Sequence, residues 1–199
     1  AFALSTDEVA AIMRICARHR VPVTPRARGT GTAGGSIPRS GGLLLSLEQM
    51  NRVLEFDPAN RFAVVEAGVL NGNLQKHVAA AGFFWPPDPS SAAYCSIGGN
   101  LATNAGGPHT VKYGSTRDHV LGVKAVTANG DIIRTGSFTS KHSVAYDLTR
   151  LLIGSEGTLA IITEATLKLT PKPACIAGVA AHYRDLASCS AAIVAIMGQ

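Results

Sequence analysis

Four short segments gather the residues of this chain that could hold a ligand: PRARGTGTAGGS at 25–36, PPDPSS at 86–91, SIGGNLATNAGG at 96–107 and IGSEGTLA at 153–160. They are rich in Gly, Ser, Thr and Asn. Glycine adopts positive φ at no steric cost, so any one of them alone reads as an ordinary tight turn. Together they suggest more, because a missing Cβ also lets backbone N–H groups approach a ligand, and successive N–H groups in such turns form an anion-binding nest. A phosphate, above all a pyrophosphate with its two charges, is the natural occupant. Arg26 and Arg28 suit an anion there, although a surface arginine beside a turn is often only solvated. In the third segment Ser96, Asn100, Thr103 and Asn104 place donors and acceptors among small residues. That pattern fits close wrapping of a large polar heteroaromatic ligand, and equally an N-capped helix packed on the core. The prolines of PPDPSS would hold Asp88, Ser90 and Ser91 in fixed positions.

Gly29, Gly31 and Gly34 match G-x-G-x-x-G, the pattern of a dinucleotide-binding Rossmann domain. That fingerprint needs its third glycine to open a helix and an acidic residue to end the next strand. Here SIPRSGG follows, with a proline and a Gly-Gly pair, and then LLLSL, which reads as a buried strand. The loop links strand to strand, so the Rossmann context is missing.

The elements that must position these loops are legible in outline. Ser5 with Glu8 three residues on forms a capping-box pattern before apolar Val9, Ile12, Met13 and Cys16, which predicts a surface helix. VPVTP predicts a strand closed by Pro25, and LEQMNRVLEF a short helical segment. RFAVVEAG predicts a strand ended by Gly68, and LNGNLQKHVAAAG a helix with Gly82 as its C′ residue. HVLGVKAVTANGDIIRTG predicts a hairpin turning at Ala128-Asn129-Gly130-Asp131, and LAIITEATLKLTP a further strand. Beyond Ala174, IAGVAAHY predicts a strand and Asp185 the start of a helix. Strands interleave with helices without regular βαβ alternation, so the fold class expected is α+β.

At 199 residues, 46% hydrophobic and 16% charged, the chain can build a real core. Its net charge of +5 is spread out, with no Lys/Arg run and no aromatic stripe, which argues against nucleic acid. Cys16, Cys95, Cys175 and Cys189 form no C-x-x-C pair, and reduced cytoplasmic thiols are expected. His19, His77, His109, His119, His142 and His182 form no H-x-H or H-x-x-x-H pair, so no metal is expected. No stretch is long enough for a membrane span, and the N-terminus lacks the marks of an export signal. The absence of an initiator Met sets the expectation of a piece of a longer protein.

With five motifs in order, PRARGTGTAGG, PPDPSS, SIGGNLATNAGG, KYGSTRDHVLG and LLIGSEGTLAIITEATLKLTP, the chain resembles the PCMH-type FAD-binding domain of the vanillyl-alcohol oxidase and p-cresol methylhydroxylase family. It is most similar to the family's FAD-linked 2-hydroxy-acid dehydrogenases, among them the flavin subunit of bacterial glycolate oxidase and D-lactate and D-2-hydroxyglutarate dehydrogenases. The resemblance runs to about Pro173. It implies a two-lobed FAD-binding domain over 1–173, split near 60, and the beginning of a truncated substrate or cap domain over 174–199.

By the same resemblance, Arg26, Arg28, Gly29, Thr30, Gly31, Thr32, Gly35 and Ser36 would hold the FAD pyrophosphate. Pro87, Asp88, Ser90, Ser91, Ser96, Gly98, Gly99 and Asn100 would follow the flavin and ribityl chain, with Thr103, Asn104 and Gly106 nearby; Glu156, Gly157 and Ile161 would complete the contacts. Relatives that attach FAD covalently do so through a histidine in the first loop. Thr30 stands in that place here, so noncovalent FAD is expected. The implied activity is oxidation of a small 2-hydroxy acid such as glycolate or D-lactate, with an electron-accepting or iron–sulfur partner subunit. The catalytic base would belong to the following domain, and none is assigned within this chain. Two other functions fit the same residues: a cofactor module inert without its cap or partners, and a flavin-dependent NADPH reductase of the same superfamily.

Overall fold

The computed structural model describes residues 1–139, 143 and 146–198; His142 and Gln199, named or spanned above, lie outside the described residues. The chain opens with α1 (Thr6–His19), whose N-cap Ser5 accepts from the Glu8 N–H while the Glu8 carboxylate reaches back to the N–H of Leu4. Val9, Met13 and Cys16 are buried along one face, and Ile12 is half-buried. Two parallel strands follow, β1 (Val23–Arg26) and β2 (Leu43–Ser46). Pro25 does not close β1 as expected. It lies within it, which a two-stranded pair tolerates because proline lacks only a donor.

The main sheet has five antiparallel strands in the order β3-β4-β8-β6-β7, built from β3 (Val53–Asp57), β4 (Phe62–Glu66), β6 (Val120–Thr127), β7 (Ile132–Gly136) and β8 (Ala160–Lys168). β6 and β7 form the expected hairpin, with Gly130 at φ +81° in its turn. β8 sits at the centre, hydrogen-bonded to β4 and β6, and its near-continuous apolar run is what a strand covered on both faces requires. Ile161 turns toward α1, with Val9, Met13, Leu45 and Met50. Ile162, Ala165 and Leu167 turn the other way, onto Leu74 and Val78 of α2 (Asn71–Ala79), Leu101 of α3 (Ile97–Thr103) and the fully buried Trp85. Each large apolar side chain buried in this way contributes roughly 1.5–3 kcal/mol. The α+β expectation therefore holds.

The remaining elements are short: β5 (Phe83–Phe84) paired with β9 (Thr170–Pro171), α4 (Thr110–Tyr113), a 3₁₀ turn at Thr116–His119 and α5 (Leu148–Leu152). Helix α6 (Leu186–Met197) starts where expected, capped by Asp185.

Three further expectations fail. LEQMNRVLEF is not helical, because Val53 and Phe56 pack on the core from a hairpin with β4 and Glu66 binds both the N–H and the guanidinium of Arg52. Tertiary pairing overrides helical propensity there. IAGVAAHY forms no strand; its residues are exposed and pair with nothing in the described sheets. Gly82 is not the C′ residue of α2, which ends at Ala79; Gly82, at φ +80°, turns the chain just beyond.

Candidate functional site

The glycine loop springs from the end of β1, where the Arg26 carbonyl still accepts from Leu47 N–H. Beyond it the backbone leaves the ladder. One hydrogen bond closes the loop, from Ile37 N–H to the Gly34 carbonyl. Among the described residues, the N–H groups from Gly29 to Ser36 have no acceptor in the protein. Half of these residues are exposed, so water takes their donors when no ligand does, and successive free N–H groups of this kind are the material of an anion-binding nest. Gly29 stands at φ +61°, and a Cβ there would lie 2.5 Å from Arg26 Nε, so glycine is what lets this guanidinium fold over the loop.

Helix α3 forms the facing wall. Its N-cap Ser96 accepts from Gly99 N–H, and Gly98 packs so tightly that a Cβ would lie 2.7 Å from the Cβ of Ala67. Asn100, buried on this wall, accepts from Asn71 Nδ2 at 3.1 Å and donates to Cys95 Sγ at 3.3 Å. Asn71 also donates to the Pro87 carbonyl at 3.1 Å, which ties the PPDPSS segment to α2 and α3.

The third wall is the loop between α5 and β8. Gly154 N–H and Glu156 N–H donate to the carbonyls of Leu101 and Ala102, which fastens this loop along α3. Glu156 adopts φ +52°, unusual for a residue with a Cβ, and its Oε2 lies 2.8 Å from where a Cβ on Gly35 would stand. Gly157, at φ +77°, abuts Pro25 of β1.

These walls enclose a cavity of about 400 Å³, within the range of small-molecule and cofactor sites. It brings together Arg26, Arg28, Gly29, Thr30, Gly31, Thr32, Gly35, Ser36, Ser90, Ser91, Ser96, Gly98, Gly99, Asn100, Thr103, Glu156, Gly157 and Ile161 from the sequence-based set. Pro87, Asp88, Asn104 and Gly106 are not on its surface. The Asp88 carboxylate instead accepts from His109 N–H at 2.9 Å and faces His109 Nδ1 at 3.3 Å. Asn104 ends α3 in the left-handed conformation, and its Oδ1 accepts from Arg117 N–H. Sequence reasoning missed the apolar floor, formed by Leu47, Leu152, Ala160 and Ile162, along with Pro25, Ala27, Ala33, Pro89, Ala102 and Ala105. The apolar run that opens β8 could have pointed to Ala160 and Ile162; nothing local marks Leu47 or Leu152.

The charges are few. Arg28 leans toward Glu48 at 3.5 Å, whereas Arg26 faces no carboxylate within ion-pair distance among the described residues. Arg26 is therefore, among the described residues, the cavity arginine not paired with a carboxylate, beside an apolar floor and walls that offer donors.

A protein-family model described as an FAD binding domain matches residues 1–136. The chain belongs to this family of FAD-binding domains. It is 52% identical over 169 residues to glycolate oxidase subunit GlcD of Bacillus subtilis, covering 85% of this chain and 36% of that protein. It is 42% identical over 191 residues to a D-lactate dehydrogenase of Anaerostipes hadrus, covering 96% and 40%. A solved structure of alkyldihydroxyacetonephosphate synthase superposes with a TM-score of 0.75 at 27% identity, over 88% of this chain and 34% of that one. The chain thus spans well under half of each relative. The cofactor of the domain is FAD, and the cavity suits it: unpaired backbone donors and Arg26 for a diphosphate, an apolar floor for a ring. No helix among the described residues is long and apolar enough to cross a membrane.

Proposed function

We propose that this FAD-binding domain holds its cofactor noncovalently in the cavity, with the diphosphate against the N–H groups from Gly29 to Ser36 and the guanidinium of Arg26. The observation that carries this reading is that run of donors with no acceptor in the protein. The absence of histidine from 25–36 supports noncovalent attachment. Ser90, Ser91, Ser96, Gly98, Gly99, Asn100 and Thr103 line the path of the ribityl chain and flavin, and Glu156, Gly157 and Ile161 close the other wall. Pro87, Asp88, Asn104 and Gly106 act from behind the surface by holding these loops. The domain extends over 1–173 in two lobes, and 174–199 leads into the domain that caps the site.

The whole protein is an FAD-linked oxidoreductase acting on a 2-hydroxy acid such as glycolate or D-lactate, and it passes electrons to a partner subunit. Bound FAD supplies the acceptor for the hydride of the substrate carbinol carbon. This chain orients that acceptor, excludes water along the floor of Leu47, Leu152 and Ile162, and neutralises the diphosphate. A cytoplasmic location accords with the four free cysteines.

A second reading, a cofactor module inert until its cap is present, is favoured by one observation. Among the described residues Glu156 is the one titratable acid on the cavity surface and no His or Lys lines it, and Glu156 faces Gly35 of the loop assigned to the diphosphate, so the cavity sets no base apart for the substrate hydroxyl. Dye reduction separates the two. Turnover of glycolate or D-lactate by the FAD-loaded chain supports complete catalysis here, and turnover only by a longer protein supports the module. Bleaching of the flavin by NADPH, with no response to either hydroxy acid, would replace both by a reductase.

A further inference from the structure

Arg117 carries a charge to which the site gives no evident task. It lies half-buried in the 3₁₀ turn, and Arg150, not Arg117, approaches the neighbouring Asp118, at 3.8 Å. Its Nε is buried without a hydrogen-bond partner among the described residues. The rest of the residue works on two loops at once. Its N–H donates to Asn104 Oδ1 at 3.0 Å, and its Nη2 reaches the Ile153 carbonyl at 3.4 Å. The preceding Thr116 gives the Ala105 carbonyl both its N–H, at 3.1 Å, and its hydroxyl, at 2.7 Å.

Gly154 makes the approach feasible. A Cβ at that position would stand 3.2 Å from Arg117 Nη2 and 3.3 Å from the Cβ of Asn104. Arg117 therefore sits at the joint between the end of α3, which puts Thr103 and Ala105 on the cavity, and the loop that puts Glu156 and Gly157 there. Ser155 Oγ, in that same loop, is a second buried polar atom without a partner. Two buried polar atoms without a protein partner at one joint call for an explanation, and a positioning role supplies one.

We propose that Arg117 is a positioning residue for the cofactor: it fixes the two loops that face the glycine loop and so sets how tightly, and in what environment, FAD is held, without touching it. The inference rests on the reading that FAD occupies the cavity. The test titrates FAD into the full chain as wild type, Arg117→Met and Arg117→Lys. It follows flavin fluorescence and the visible spectrum, with far-UV circular dichroism and ligand-free Tm as controls.

Arg117→Met is expected to bind FAD on the order of tenfold more weakly, the scale of one lost buried hydrogen-bonding group. Arg117→Lys, which keeps the charge and loses the fork, is expected to fall between, with shifted flavin bands and a ligand-free Tm near that of wild type. Should Arg117→Met fail to fold, Arg117→Lys decides alone. Wild-type affinity and spectrum in Arg117→Lys would overturn the proposal. So would an affinity loss that merely tracks a lowered Tm. Failure of the wild-type chain itself to bind FAD is a different result, and it would overturn the reading of the cavity and this inference with it.

Discussion

The guanidinium of Arg26 folds over Gly29, with its Nε 2.5 Å from the point a Cβ on that glycine would occupy. Charge and backbone conformation are thereby coupled, because this guanidinium, which faces no carboxylate among the described residues, takes its place only if the next loop residue but two has no side chain. Gly29→Ala should displace Arg26 and strain a φ of +61°, and Arg26→Gln should remove the charge while leaving the loop. Both are expected to weaken FAD binding by about tenfold or more, the worth of one charge-assisted hydrogen bond. Titration at two salt concentrations checks this, since Arg26→Gln, which removes the charge, should reduce the salt dependence more than Gly29→Ala, which only displaces it.

Gly98 tests packing apart from binding. A Cβ there would lie 2.7 Å from the Cβ of Ala67 and 2.8 Å from its carbonyl oxygen, and Ala67 is buried and held by backbone hydrogen bonds to Thr163 and Gly98. Gly98→Ala is expected to destabilise the fold by about 1–3 kcal/mol, as overpacking does, despite the better helix propensity of alanine. Urea denaturation measures it, and an unchanged midpoint would mean that α3 does not dock on Ala67.

Asn71 is fully buried and gives its amide to both Pro87 and Asn100. Asn71→Ala leaves the Pro87 carbonyl unpaired and Asn100 Oδ1 with only the weak Cys95 thiol, and should cost on the order of 1–3 kcal/mol. Because Asn100 lines the cavity, FAD affinity should fall in the same variant, whereas Ile15→Ala on the exposed side of α1 should leave it unchanged.

His119 provides the pH dependence. It is 7% exposed, and burial holds its imidazole below the ordinary 6.5, against the opposing pull of its contact with the Tyr113 carbonyl. The folded chain binds this proton more weakly than the unfolded chain does. The stability it contributes is therefore complete above pH 6.5 and is lost as pH falls from there toward the folded value. Urea midpoints from about pH 7.5 down to about pH 5 should drop in the wild type and drop less in His119→Gln. Parallel slopes would remove His119 from the account.

The sequence was most legible where one residue type serves one local purpose. Ser5 caps the helix it was expected to cap, the last helix begins at Asp185 as expected, Gly130 turns the hairpin, and no helix opens in the segment with the proline and glycines after Ser36. It was least legible where the partner lies far along the chain. Met50 to Phe56 looked helical until Glu66 and β4 claimed them, and Asn71 and Arg117 show nothing locally of the loops they hold. Asp88 illustrates the boundary between the two. Its segment does border the cavity through Pro89, Ser90 and Ser91, while its carboxylate turns away to His109, a pairing across 21 positions that spacing does not reveal.

The central claim is that the loop from Gly29 to Ser36 holds FAD noncovalently, and the most direct measurement is the visible spectrum of the chain titrated with FAD, followed by heat denaturation and separation of flavin from protein. The account predicts saturable binding with shifted flavin bands, binding about tenfold or more weaker in Arg26→Gln, and release of intact FAD on heating. Undiminished binding in Arg26→Gln, or flavin that stays with the denatured chain, would contradict it.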